Sequence, residues 1–176
     1  MAVRPILQIG DPRLRQKAKR VSRIDDSIQR LIDDLIDTMR AAQGVGLAAT
    51  QVGVPLRIAV IELPPGEPEG PKPEVIVLIN PQIVRTSGEE LMDEACLSIP
   101  GFAGEIRRFR NVTVKALNRQ GKEFRVKGTG LLAQALQHEI DHLDGVLYVD
   151  RAERVEKLEE RAPSQQAHPP SQAASQ

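Results

Sequence analysis

The segment His138-Glu139-Ile140-Asp141-His142 carries two imidazoles four positions apart, with a carboxylate directly after the first. On a helix, positions i and i+4 share a face, so both rings can hold one metal ion while Glu139 stands where it can exchange a proton with water. That is the donor pattern of a metal-dependent hydrolase. The plain alternative is a histidine pair on a solvated helix with two solubilising acids beside it. A hydrolytic metal takes three protein ligands and keeps one position open. In the extended pattern HExxHxxGxxH the third ligand is a histidine; here Gly145 is present but Tyr148 occupies that last place. The glutamates further on, Glu153, Glu156, Glu159 and Glu160, lie in a thinly apolar terminal stretch. The single cysteine, Cys96, suits the role better, because a thiolate binds zinc or ferrous iron strongly. Its neighbours Glu94-Ala95-Cys96-Leu97-Ser98 read as a turn or strand, and its ordinary alternative role is that of a small buried hydrophobe.

A third segment, Gly44-Val45-Gly46-Leu47-Ala48-Ala49-Thr50-Gln51, combines small residues with a terminal amide. Small residues permit close approach of a ligand or of another backbone, and Gln51 offers an N–H donor. Tight structural packing would use the same residues. The run follows a helix, whereas a dinucleotide fingerprint follows a strand and opens a helix, so a Rossmann reading fails.

These groups need elements to position them. Apolar residues at Ile24, Ile28, Leu31, Ile32, Leu35, Ile36, Met39 and Ala42 form one face of a helix, with Gly44 as its stop. Leu56 to Leu63 and Glu74 to Ile79 read as strands joined by the surface loop PPGEPEGPKP. Val112 to Leu117 and Glu123 to Lys127 alternate around Asn-Arg-Gln-Gly and read as a hairpin. Thr129 can cap a second helix that buries Leu131, Leu132, Ala135, Leu136 and Ile140, and Gly145 ends it. Arg151 to Arg161 reads as a marginal helix with a thin apolar face, in a short charged segment over 151–162. Residues 163–176, PSQQAHPPSQAASQ, lack large apolar side chains and read as a disordered tail. The expected fold is α+β, with mainly antiparallel sheets packed around a central helix that carries HExxH.

Composition narrows the function classes. With 176 residues there is room for one domain, placed at 1–150. Lys plus Arg and Asp plus Glu both number 24, and aromatic residues make up 2%, so neither a broad basic face nor a base-stacking platform is expected. A lone cysteine rules out an internal disulfide and suits a reducing compartment. No apolar run approaches membrane-spanning or signal-peptide length, and the chain reads as cytoplasmic.

Taken together, GVGLAATQ, EACLS and QHEIDHLDG resemble, in order and spacing, the three signature motifs of peptide deformylases, GxGxAAxQ, EGCxS and QHExDHxxG. ILQIGDPRLR and PGFAGEIRRFRNV are similar to two further family stretches, so the resemblance covers roughly residues 4–150. It makes Cys96 the third ligand beside His138 and His142, around Fe2+ that Zn2+, Ni2+ or Co2+ can replace. It implies removal of the formyl group from the formylmethionine of nascent polypeptides. Glu139 would be base and then acid. Gln51 and the backbone N–H of Leu97 would steady the developing oxyanion. Gly44 and Gly46 would admit the substrate backbone, and Val45, Leu131 and Ala135 would line the methionine pocket. Glu94 and Arg108 match positions of an ion pair behind the site. The ribosome is a further candidate partner, although the segment after Asp150 is short for a docking helix.

Where the family motif has glycine, this chain has Ala95. A positive φ there would strain the alanine; otherwise its methyl group would narrow the cleft. Two other readings stay open: a non-catalytic metal-binding relative, and an HExxH peptidase cutting internal bonds. Catalysis by Cys96 as a nucleophile assisted by His138 is a further alternative.

Overall fold

The computed structural model describes residues 2–66 and 74–160. Its elements are α1 (Asp26–Ala41), β1 (Gly46–Ala48), β2 (Ile58–Ile61), β3 (Ile76–Ser87), β4 (Glu90–Cys96), β5 (Ile99–Arg108), β6 (Asn111–Leu117), β7 (Glu123–Thr129), α2 (Gly130–Leu143) and β8 (Arg154–Lys157). Two antiparallel sheets result, one ordered β1-β2-β3-β6-β7 and the other β4-β5-β8. The α+β expectation holds.

The larger sheet is covered on both faces, which explains the unbroken apolar runs of its inner strands. Successive side chains of a strand point to opposite faces. Ile58, Val60, Val77 and Ile79 pack with Leu31, Ile32, Leu35 and Met39 of α1. Ile61 and Leu78 point the other way and pack with Leu132, Ala133 and Leu136 of α2. A third cluster, Cys96, Ile99, Ile106, Leu147 and Tyr148, fills the space beneath the smaller sheet. The helix that carries the histidines is thus held between the two sheets.

The helix ends refine the sequence reading. Asp25 caps α1, its carboxylate accepting from the Ile28 N–H at 3.1 Å. The left-handed residue that stops α1 is Gln43, at φ +57°, while Gly44 donates its N–H to the Met39 carbonyl at 2.9 Å. Glycine therefore sits one place past the turn it was expected to make. Thr129 does precede α2, but its side chain makes no capping bond. Gly145 ends α2 as expected, at φ +77°, and a Cβ there would lie 2.4 Å from the Arg15 carbonyl oxygen.

The segment after Asp150 departs most. In place of a marginal helix, β8 pairs Phe102 to Glu105 with Lys157 to Arg154. Its sides are mostly exposed, so backbone hydrogen bonds rather than apolar burial hold it. The loop over 67–73 and the proposed tail lie outside the described residues. No helix among the described residues is long and apolar enough to cross a membrane.

Candidate metal centre

α2 places His138 and His142 on one face, and their Nε2 atoms lie 3.1 Å apart. The β4–β5 hairpin delivers Cys96 to the same point, with its sulfur 3.3 Å from His142 Nε2. One ligand atom from each of the three residues lies within 4.8 Å of the others, and all three side chains are buried. Ligand bonds of roughly 2.0–2.3 Å put tetrahedral donors about 3.3–3.7 Å apart, so little adjustment closes this set on one ion.

The surrounding charges fit a cation. Both oxygens of Glu139 are buried without a hydrogen-bond partner among the described residues. Burial pushes the Glu139 carboxyl well up, and the charge of Glu94 adds to this against the pull of Arg108. Burial likewise pushes the Cys96 thiol up; the Ser98 N–H opposes it, and the charges of Glu139 and Glu94 reinforce it. A divalent ion between them would reverse both tendencies, since a coordinated thiol is deprotonated and a neighbouring carboxylate is favoured in its charged form. Two imidazoles and one thiolate suit zinc or ferrous iron.

Behind the ligands is a buried ionic network. Glu94, fully buried, accepts from His138 Nδ1 at 2.7 Å, which turns Nε2 toward the centre. Arg108 forks onto Glu94 at 2.6 and 3.0 Å and reaches Asp141 at 2.6 Å. Burial alone would raise the Glu94 carboxyl, but the charges of His138 and Arg108 and their hydrogen bonds hold it down at about 2. The Glu94–Arg108 pair expected from sequence is therefore present and buried, with side-chain exposures of 0% and 2%. Asp141 and Gln134 extend it beyond what the sequence reading assigned, and Gln137 ties α2 to the backbone next to Arg108. Gln134 donates to the Asp93 carbonyl at 2.8 Å, and Gln137 exchanges hydrogen bonds with both backbone groups of Phe109, each at 2.9 Å. The signal available for Gln137 was its place at the head of QHEIDH. Tyr148, noted only for not being histidine, stacks on His138 with ring centroids 6.4 Å apart.

Gln51 is fully buried. Its Oε1 accepts from the Ala48 N–H at 3.0 Å, and its Nε2 donates to Ser98 Oγ at 3.1 Å and lies 3.9 Å from the Cys96 sulfur. Leu97 occupies the two-residue turn between β4 and β5. Val45 and Ala135 are buried and Leu131 is half-buried, all in the cluster that joins α2 to the larger sheet. Gly46 faces Glu139: a Cβ at that position would meet Oε2 at 2.8 Å. Gly44 is half-buried at the turn out of α1.

Ala95 is not among the residues with positive φ, so its backbone is unstrained. Its methyl group lines a cavity of about 220 Å³ beside Cys96, together with Leu97, Pro100, Phe102 and Leu158. Of the two consequences considered for this substitution, narrowing of the cleft is the one that the backbone allows.

Known proteins resemble this chain over most of its length. The family model described as polypeptide deformylase matches residues 3–158. The peptide deformylase of Thermomicrobium roseum is 58% identical over 154 residues, covering 87% of this chain and 88% of the relative. A crystal structure of a peptide deformylase from Legionella pneumophila superposes with a TM-score of 0.79 at 52% identity, covering 85% of this chain and 86% of that one. That of Ehrlichia chaffeensis in complex with actinonin gives 0.82 at 40% identity, covering 88% of this chain and 91% of its own. With its three motifs gathered at one buried centre and its length matched almost throughout, the chain belongs to the polypeptide deformylase family.

Proposed function

We propose that this protein is a metal-dependent hydrolase that removes the N-terminal formyl group from the formylmethionine of newly made polypeptides and releases formate. The observation that carries this reading is the convergence of Cys96, His138 and His142 beside the buried Glu139 carboxylate, which has no hydrogen-bond partner among the described residues, in a chain of the deformylase family. A metal bound by these three residues supplies a Lewis acid for the formyl oxygen and lowers the pKa of water. Ferrous iron is the proposed ion, with zinc, nickel or cobalt as substitutes, and the donor set suits this range.

The chain's own groups do the rest. Glu139 takes a proton from the attacking water and hands it to the departing amine, so no covalent enzyme intermediate is needed. The Gln51 amide and the Leu97 N–H donate to the oxygen that gains charge. Gly44 and Gly46 leave room at the cleft, and Val45, Leu131 and Ala135 offer the apolar surface that a methionine side chain requires. Nascent chains are the proposed partners, in the cytoplasm and near the ribosome. The relatives described above give no support to an internal peptidase or to a non-catalytic metal binder.

Formate release from a formyl-Met peptide, measured anaerobically with metal analysis of the same sample, tests the reading. Glu139→Gln should retain the metal and lose about 10²- to 10⁴-fold in turnover. Metal-replete protein that releases no formate would overturn it.

A further inference from the structure

We propose that residues 7–9 form a positioning strap that holds the two oxyanion donors, the Gln51 amide and the Leu97 N–H, in register with each other. The inference rests on the reading of Gln51 and Leu97 as those donors. They come from separate segments: Gln51 from the short 3-10 turn Ala49–Val52, Leu97 from the two-residue turn between β4 and β5. The strap hydrogen-bonds to both. The Leu7 N–H donates to the Gln51 carbonyl at 2.8 Å, and the Ile9 N–H donates to the Ser98 carbonyl at 2.8 Å. Between them the Gln8 side-chain amide donates to the Ile6 carbonyl at 3.1 Å and reaches the Leu97 carbonyl at 3.4 Å. Both carbonyls of the β4–β5 turn are thus engaged by the strap, and the Leu97 N–H belongs to the peptide directly before them.

The strap is tied down on either side. Upstream, the Arg4 N–H donates to Thr38 Oγ1 of α1 at 2.9 Å, and the Arg4 guanidinium pairs with Asp34. Downstream, Asp11 caps the turn Pro12–Arg15, whose Leu14 is buried. A carbonyl at the end of a helical turn has no partner within it, and Leu7 supplies one for Gln51. Gln51 is therefore set from both ends: its backbone by Leu7, its side chain by the Ala48 N–H at 3.0 Å and Ser98 Oγ at 3.1 Å. Catalytic donors must be held within about 0.5 Å of their working geometry. Charge on the oxygen develops only as the reaction proceeds, so a slack strap should weaken the transition state and leave substrate binding alone.

The test is a double-mutant cycle of Leu7→Pro and Gln51→Ala in the full chain, read by kcat and KM on a formyl-Met peptide and by metal content. Proline has no N–H, so Leu7→Pro deletes the bond to the Gln51 carbonyl. A misplacement of up to about 1 Å predicts a kcat lower by about 10- to 100-fold, with KM unchanged within about twofold and metal content unchanged. Gln51→Ala should lower kcat by about 10²- to 10³-fold, and in that background Leu7→Pro should cost no more than about threefold. Ile9→Pro should likewise lower kcat with KM and metal unchanged. Should the proline variants not fold, the α-hydroxy analogue of leucine at position 7, which makes an ester in place of the amide, removes the same N–H and keeps the side chain. Equal losses from Leu7→Pro in both backgrounds would show a merely structural role and overturn the inference. Full kcat in Leu7→Pro, in Ile9→Pro or in Gln51→Ala also overturns it, and leaves the deformylase reading standing so long as the wild-type protein releases formate.

Discussion

Gly46→Ala adds one methyl group between β1 and the proposed base. The new Cβ would stand 2.8 Å from Glu139 Oε2 and 3.1 Å from the Val60 carbonyl oxygen. Ordinary contact begins at 3.4 Å, so about 0.6 Å of movement is required. The strand cannot supply it, because Gly46 is paired with Ile61 and its neighbour Leu47 with Val60. The carboxylate must retreat instead. A misplacement of about 1 Å costs roughly 10²-fold, so 0.6 Å corresponds to about 10- to 20-fold in kcat. Overpacking should also cost about 1–3 kcal/mol of stability, or several degrees in Tm. Steady-state kinetics on a formyl-Met peptide, thermal unfolding and metal analysis read the three effects. Metal content should stay at the wild-type level, since no ligand moves. A folded, metal-replete variant with wild-type kcat would refute the reasoning; it would show that the Glu139 carboxylate keeps its working position despite the added methyl group.

Arg108→Met leaves Glu94 and Asp141 buried without their shared cation, and urea unfolding should show a loss of about 3–5 kcal/mol; a loss under about 1 kcal/mol would mean that the network is not coupled to folding. Ala95→Gly removes a methyl group from the cleft beside Cys96 without relieving any backbone strain, so KM should fall for peptides with a bulky second residue while stability drops by about 0.5–1 kcal/mol. Burial opposes ionisation of Asp34, but hydrogen bonds from Arg4 and the Ala2 N–H hold its carboxyl below the ordinary value of 3.8. A depressed carboxyl contributes stability that is full above 3.8 and is lost as pH falls below it, so Asp34→Asn should cost about 1 kcal/mol at pH 7 and nothing once wild-type Asp34 is protonated. Urea midpoints at pH 7 and below pH 3 check this sign.

Several parts of the fold and site were legible because they depend on local chemistry. The eight apolar positions from Ile24 to Ala42 encode α1 through the helical period, and the same geometry puts His138 and His142 on one face of α2. The alternation after Asn111 encodes the β6–β7 hairpin. The order and spacing of GVGLAATQ, EACLS and QHEIDHLDG carry the family resemblance in the sequence itself. Other features carry no such local signal. β8 is held by backbone bonds to β5, which leave no period in the side chains, and so Arg154 to Lys157 looked like a weak helix. The turn after α1 is taken by Gln43 and not by the neighbouring glycine, because the Gly44 N–H closes on Met39.

What the sequence determined by itself was the inventory: one thiol, a histidine pair at helical spacing, a carboxylate beside it and an amide after a run of small residues. Tertiary structure decided how these groups see one another. The β4–β5 hairpin brings Cys96 onto a helix more than forty residues away, and the packing of α2 against β1 sets the Glu139 carboxylate against Gly46. Tertiary packing also buries Glu94, Arg108 and Asp141 as one network and joins Ser98 to the Gln51 amide. Burial and hydrogen-bond direction are properties of the assembled chain, and the reactivity of a thiol or a carboxylate follows from them.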